Sequence, residues 1–179
     1  ITKYNYDTTG NLKKTIQVGY NDVDPNVTTD NFYNDLGQVT SVTNPNGHST
    51  TYTYQAGNVK KTTDPEGNET VNYYDNSGRR IKVVNAEGYY RTMEYDSLGH
   101  VVKTIAYDAN DVALTQTRSE YDAAGHVIQK AVLADASQPD TYTPSPNTDK
   151  ITEFVYDGAT GSYPGMLVQK KIYYGGNPA

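Results

Sequence analysis

The sequence predicts an all-β fold, an antiparallel meander of repeated β-hairpins that together form a curved, spiralling sheet. Three observations carry that reading. A self-similar unit of about 21 residues runs along all 179 positions. Glycine-bearing turns punctuate the units, and the runs between turns have the length and composition of strands. No segment keeps a helical period over two turns.

Each unit opens on a tyrosine followed by a turn. Tyr6–Gly10 (YDTTG) recurs as Tyr33–Gly37 (YNDLG), Tyr74–Gly78 (YDNSG), Tyr95–Gly99 (YDSLG) and Tyr121–Gly125 (YDAAG). Tyr54–Gly57 (YQAG) is one residue shorter, and the unit beginning at Tyr156 is stretched to YDGATGSYPG, ending at Gly165. Ten residues after the first glycine comes a second turn: Asn44-Pro45-Asn46-Gly47, Asp64-Pro65-Glu66-Gly67 and Asn85-Ala86-Glu87-Gly88. The chain is therefore read as a single segment of about seven units.

Both turns ask for one chemistry. Asp or Asn at the first position (Asp7, Asp75, Asp96 and Asp122 among them) accepts a hydrogen bond from the backbone two residues on. Proline at the second position presets φ. Glycine at the fourth supplies a positive φ and closes a type I turn with a G1 bulge.

Runs such as Gln38–Thr43 and His48–Tyr54 lie between the turns, rich in Val, Thr and Tyr, which suit a pleated surface. Thr50, Tyr52 and Tyr54 share one face, as do Tyr89, Arg91, Met93 and Tyr95, whereas Val39 and Val42 point to opposite faces. Neither face reads as fully wet or dry. Three insertions interrupt the period: Tyr20–Asp30, with its DVDPN, a shorter bulge at Asp108–Thr115, and the Pro- and Ser-rich loop 134–150 (ADASQPDTYTPSPNTDK). They are read as surface drift, which loops tolerate at small entropic cost.

Composition narrows the function classes. Hydrophobic residues make up 35% and mean hydropathy is −0.76, a disorder-like balance that 18 tyrosines argue against. Net charge is −6, and the fifteen Lys and Arg are scattered with no basic stripe, so nucleic acid is not an expected partner. No apolar run reaches the roughly 20 residues of a membrane span, and no membrane insertion is expected. Cysteine is absent. The opening ITKYNYD and the closing YYGGNPA read as cut ends, so the chain is taken as a piece of something longer or a processed product.

Candidate chemistry is sparse. Asp7, Asp75, Asp96, Asp122 and Asp157 form a row with neighbours about 10 Å apart. That is too far for a paired-carboxylate mechanism and too linear to converge on calcium. His48, His100 and His126 each follow a repeat glycine, too far apart to share zinc. No catalytic residue, metal or cofactor is assigned. Tyrosine is the one residue type with a binding role to offer, through ring stacking and its hydroxyl. Tyr52, Tyr73, Tyr89, Tyr90 and Tyr107 are additional to the repeat-defining tyrosines and are the candidate ligand contacts. Asn26-Val27-Thr28 and Asn68-Glu69-Thr70 fit the glycosylation acceptor.

The unit resembles the YD repeat, or RHS repeat, of the Rhs, toxin-complex and teneurin families. Its pattern (a YDxxGxL turn and strand, then xPxG, then TxYxYD) is matched most closely by residues 33–54 and 54–75. Asn34 and Gln55 depart from it by replacing the Asp, and Arg80 by replacing an apolar residue. The resemblance implies a non-enzymatic β-sheet that wraps into a shell, here a partial one. In Rhs and toxin-complex proteins such a shell encloses a toxin, and in teneurins a related barrel sits in an adhesion receptor. The self-cleaving aspartyl core of bacterial Rhs proteins is not visible here, and Asp64-Pro65-Glu66-Gly67 reads as an ordinary repeat turn.

The expected function is thus a structural segment of a large secreted or cell-surface protein, without enzymatic activity. Its partners are neighbouring repeats of the same parent chain and, by the resemblance, an encapsulated toxin domain. Two other readings stand beside it. One is an adhesive module that binds a surface glycan or a protein through exposed tyrosines and the 134–150 loop. The other is self-association into a filament through open strand edges at ITKYNYD and LVQKKIYYGG.

Overall fold

The computed structural model describes residues 1–19, 26–157, 165–174 and 177–178. The DVDPN insertion, apart from Asn26, lies outside the described residues, as do the interior of the stretched last turn and the Gly-Gly of LVQKKIYYGG. The strands are β1 (Thr2–Tyr6), β2 (Leu12–Gln17), β3 (Val27–Tyr33), β4 (Val39–Thr43), β5 (Ser49–Gln55), β6 (Asn58–Thr63) and β7 (Glu69–Tyr74). They continue as β8 (Arg80–Val84), β9 (Tyr90–Tyr95), β10 (Val101–Tyr107), β11 (Ala113–Tyr121) and β12 (Val127–Val132). The last are β13 (Lys150–Tyr156), β14 (Leu167–Tyr174) and β15 (Asn177–Pro178).

The chain divides into two units, Ile1–Tyr73 and Tyr74–Ala179. Within each, strands follow one another in chain order and pair antiparallel, an open all-β meander. Among the described residues no helix is long and apolar enough to cross a membrane.

The turns explain why short strands stay in register. In YDTTG the Gly10 N–H donates to Asp7 O (3.2 Å) and the Asp7 N–H to Asn11 O (2.9 Å). Gly10 sits at φ +90°, the left-handed conformation that a G1 bulge needs. The β1–β2 register shifts by one residue at that bulge. The same pair of backbone bonds closes the turns at Asn34, Asn44, Asp64, Asp75, Asn85, Asp96 and Asp122.

Two insertions read differently in the structure. Val27–Asp30 is already strand, so the first insertion is shorter than Tyr20–Asp30. Asp108–Val112 is no bulge but an ordinary second turn: Asp111 N–H donates to Asp108 O, and Asp111 takes φ +64° where other units use glycine. Aspartate tolerates that conformation better than most residues, which is why a glycine search passes over it.

The shortened YQAG is a two-residue hairpin. Gln55 pairs with Asn58, and Ala56 and Gly57 both have positive φ, +48° and +83°. That is a type I′ turn, which favours Asn-Gly. Ala56→Asn is expected to stabilise the protein by about 1 kcal/mol by relieving the left-handed alanine. A rise in the urea midpoint checks it, and a fall refutes the turn type.

The first unit buries little. Among the described residues the buried apolar side chains are Ile105, Ala131, Leu133, Ala136 and Ile151, all in the second unit. Cross-strand pairing places Ile105 opposite Gln116, Arg118 opposite Ala131, Ala131 opposite Ile151, and Ile151 opposite Tyr173. Directly paired residues share a sheet face, and so do residues two apart on a strand, so all of these lie on one face. The segment 134–149 covers it. The surface-drift reading of this loop is therefore corrected, because the loop seals the dry patch found among the described residues.

Candidate functional site

Two constructions concentrate the polar chemistry of this chain. The first joins successive repeats. The tyrosine opening a unit donates its hydroxyl to the carbonyl two residues after the glycine of the preceding unit. Tyr33 bonds Leu12 O (2.8 Å), Tyr54 bonds Val39 O (2.7 Å), Tyr95 bonds Arg80 O (2.7 Å) and Tyr121 bonds Val101 O (2.9 Å). Each acceptor opens a strand beside the turn bulge, where the ladder is locally disrupted. The tyrosine marks the repeat because it reaches that carbonyl.

In the second unit a planar side chain completes the joint. His100 stacks on Tyr121 with centroids 4.6 Å apart, and His126 on Tyr156 at 4.7 Å. The Arg79 guanidinium lies 4.8 Å from the Tyr95 ring centroid and donates to Asp96 O (3.2 Å). Each is tethered by its own turn carboxylate: His100 Nδ1 to Asp96 Oδ2 (2.8 Å), His126 Nδ1 to Asp122 Oδ2 (2.9 Å), and Arg79 Nε to Asp75 Oδ2 (2.7 Å). The result is a clasp, in which one carboxylate holds both its turn and the group that grips the next repeat.

The carboxylates are spent on these bonds. Asp7 Oδ1 accepts from the backbone N–H of Thr9 (2.9 Å) and of Asn11 (2.8 Å). Asp64, Asp75, Asp96 and Asp122 repeat that pattern. The Thr9 hydroxyl, followed by the Asn11 bonds, holds the Asp7 carboxyl down at about 2. Asp122 is held below its usual value first by the His126 side chain, and Asp75 first by the Arg79 N–H. For Asp96 burial pushes upward, and the His100 bonds outweigh it.

A carboxyl depressed on folding stabilises the protein above its unfolded value, and that stability is lost as pH falls through the folded value. For Asp7 the window runs from 3.8 down to about 2. The urea midpoint is expected to stay level from neutral pH to about pH 5 and to fall steadily below about pH 4. Asp7→Asn keeps the backbone bonds, as Asn34 Oδ1 does with Leu36 and Gln38, and flattens part of that loss. A midpoint that rises on acidification would refute the role of the turns.

The second construction pins the 134–149 strap. The Arg118 guanidinium donates to the carbonyls of Gln138, Pro139, Asp140 and Tyr142. Gln116, fully buried, has its amide oriented to donate to Ala136 O (3.0 Å) and to accept from Arg118 Nε (2.9 Å). Asp149, 1% exposed, accepts from Ala134 N–H (2.9 Å), Ser145 N–H (2.9 Å) and the Tyr142 hydroxyl (2.7 Å). Lys103 bridges Glu94 on β9 and Asp140 on the strap.

The candidate ligand tyrosines part company. Tyr90 and Tyr107 are not free, since they stack on each other at 4.6 Å. Tyr90 also donates to Asp111 Oδ1 (2.8 Å), which drives its phenol up to about 12, and Lys82 sits 3.6 Å over its ring. Tyr73 lies under Lys60, 4.1 Å away, and is half-exposed, as is Tyr89, while Tyr52 is partly buried. The side chain of Asn68, in the second glycosylation motif, bonds Asp64 Oδ2 (2.9 Å). Among the described residues no three His, Asp or Glu side chains converge on a metal position. Arg118, Gln116 and Asp149 were not among the sequence candidates, since each sits off the repeat pattern.

Residues 33–69 match the family model for the RHS repeat. That stretch is an RHS repeat. Similar solved structures include the Tc holotoxin pore of Photorhabdus luminescens, with 16% identity, 96% of this chain and 11% of that one covered, and a TM-score of 0.59. A TcdB2–TccC3–TEV structure is similar at 16% identity, 99% and 12% coverage, and a TM-score of 0.63. At such identity the likeness is one of fold. The chain spans about a tenth of the length of those two chains. No curated protein matches.

Proposed function

We propose that this chain is a length of wall in a larger extracellular RHS-repeat protein, a β-shell that encloses another domain, with no catalysis of its own. The observation that carries this reading is the clasp. Asp96 and Asp122, His100 and His126, and the repeat tyrosines Tyr33, Tyr54, Tyr95 and Tyr121 bond or stack on one another or bond to backbone. Side chains that a hydrolase would hold ready are occupied in joining strand to strand. The likeness in fold to Tc toxin structures supports enclosure as the wall's purpose.

The test is the parent protein carrying this segment with its natural flanks, studied by limited proteolysis and electron cryomicroscopy. A closed lumen holding a protease-resistant domain is expected. An extended array with its flanking domains cleaved as fast as in isolation would overturn the proposal and favour a fibre or adhesin.

A further inference from the structure

The joint between the first two repeats lacks its planar group. At the place held by Arg79, His100 and His126 in later units stands Asn11, whose amide folds back to Asp7 Oδ2 (3.0 Å) and Thr9 Oγ1 (2.9 Å). A groove of about 590 Å³ is left between the turns at Asp7 and Asn34, lined by Asn11, Lys13, Phe32, Tyr33 and Asp35 among others. Asp35 is exposed at the rim.

We propose that this groove binds an arginine guanidinium presented by another protein segment, which completes in trans the clasp that Arg79 makes in cis. The chain itself shows what fits such a place: a planar cation resting on a repeat tyrosine and held by a carboxylate. Tyr33 supplies the ring and Asp35 a carboxylate outside the turn's bonding. Two carboxylates, Asp7 and Asp35, face one cation, Lys13, and the whole chain carries −6, so the local and the global field both draw a cation in. A saccharide fits less well. It needs free amides and carboxylates, whereas those of Asp7, Asn11 and Asn34 are taken up by their turns. Arginine is preferred over lysine because a flat fork both stacks on a ring and pairs with a carboxylate.

The experiment titrates the full chain with N-acetyl-arginine amide, N-acetyl-lysine amide and a neutral oligosaccharide, following the ring resonances of Tyr33. Saturable shifts with the arginine compound alone are expected, weakened in Asp35→Ala. Asn11→Arg should fill the groove from within, abolish the titration and raise the urea midpoint. If Asn11→Arg does not fold, Asp35→Ala still decides. No shift with arginine, an equal response to lysine, a response unchanged in Asp35→Ala, or saturation by the oligosaccharide instead would each overturn the proposal.

Discussion

Asp149→Ala is expected to destabilise the protein by about 3 kcal/mol and to free the 134–149 strap. The carboxylate is almost wholly out of water and accepts hydrogen bonds from Ala134, Ser145 and Tyr142, among others. Alanine removes the acceptor and leaves two backbone N–H groups and a phenol to find new partners or stay unpaired, at about 1–3 kcal/mol for each group that stays buried. Relaxation of the strap limits the sum. Release of the strap also exposes Ala131, Leu133 and Ile151, the apolar cluster beneath it. Two measurements check this: the urea midpoint, and protease cleavage between Pro139 and Asn147, which should become fast in the variant. Asp149→Asn keeps an acceptor oxygen and should lose less. Arg118→Ala attacks the same strap from the sheet side, through the carbonyls it collects. The two substitutions are expected to be sub-additive, since either frees the same segment. A strap that stays protected in Asp149→Ala would show that Arg118 alone suffices.

The sheet was legible in the sequence because its rules are local. A tyrosine, an Asp or Asn and a glycine at fixed offsets specify a turn within five residues, and turns at regular spacing leave room only for strands. Where the turn uses another residue, the reading slips: Asp111 holds glycine's place, and the turn at Asp108–Val112 reads as part of a bulge at Asp108–Thr115. The clasp was half legible. The habit of His100 and His126 of following glycine was visible, but their partners Tyr121 and Tyr156 lie more than twenty residues on, and only the folded sheet brings them within 5 Å. The strap was not legible at all. Its Pro, Ser and Asp residues have the composition of a solvated loop, and its burial comes from Arg118 and Gln116 on a strand that reads as ordinary. Polar residues went to the inside here because they cap the strap's own backbone, a demand that no hydropathy pattern records.

The clasp sets Gly125 apart from Gly47 and Gly99. At Gly47 and Gly99 an added Cβ would meet nothing within 4 Å, so alanine there costs only the left-handed φ, roughly 1–2 kcal/mol. At Gly125, φ +85°, that Cβ would stand 2.9 Å from His100 Nε2. The imidazole cannot swing away freely. Its Nδ1 is tied to Asp96 and its face lies on Tyr121, so alanine must either break the stack or bend the turn. Gly125→Ala is therefore expected to cost about 1–2 kcal/mol more than Gly47→Ala, for about 3 kcal/mol in all. The comparison in a His100→Ala background separates strain from clash. There the backbone strain remains and the steric part is gone, so Gly125→Ala should fall back to the cost of Gly47→Ala, an interaction of about 1–2 kcal/mol between the two sites. Urea denaturation of the four proteins in that cycle measures it. Full additivity would mean that the ring yields without loss, and that His100 is a passenger on Tyr121 instead of the clamp that sets the distance between repeats.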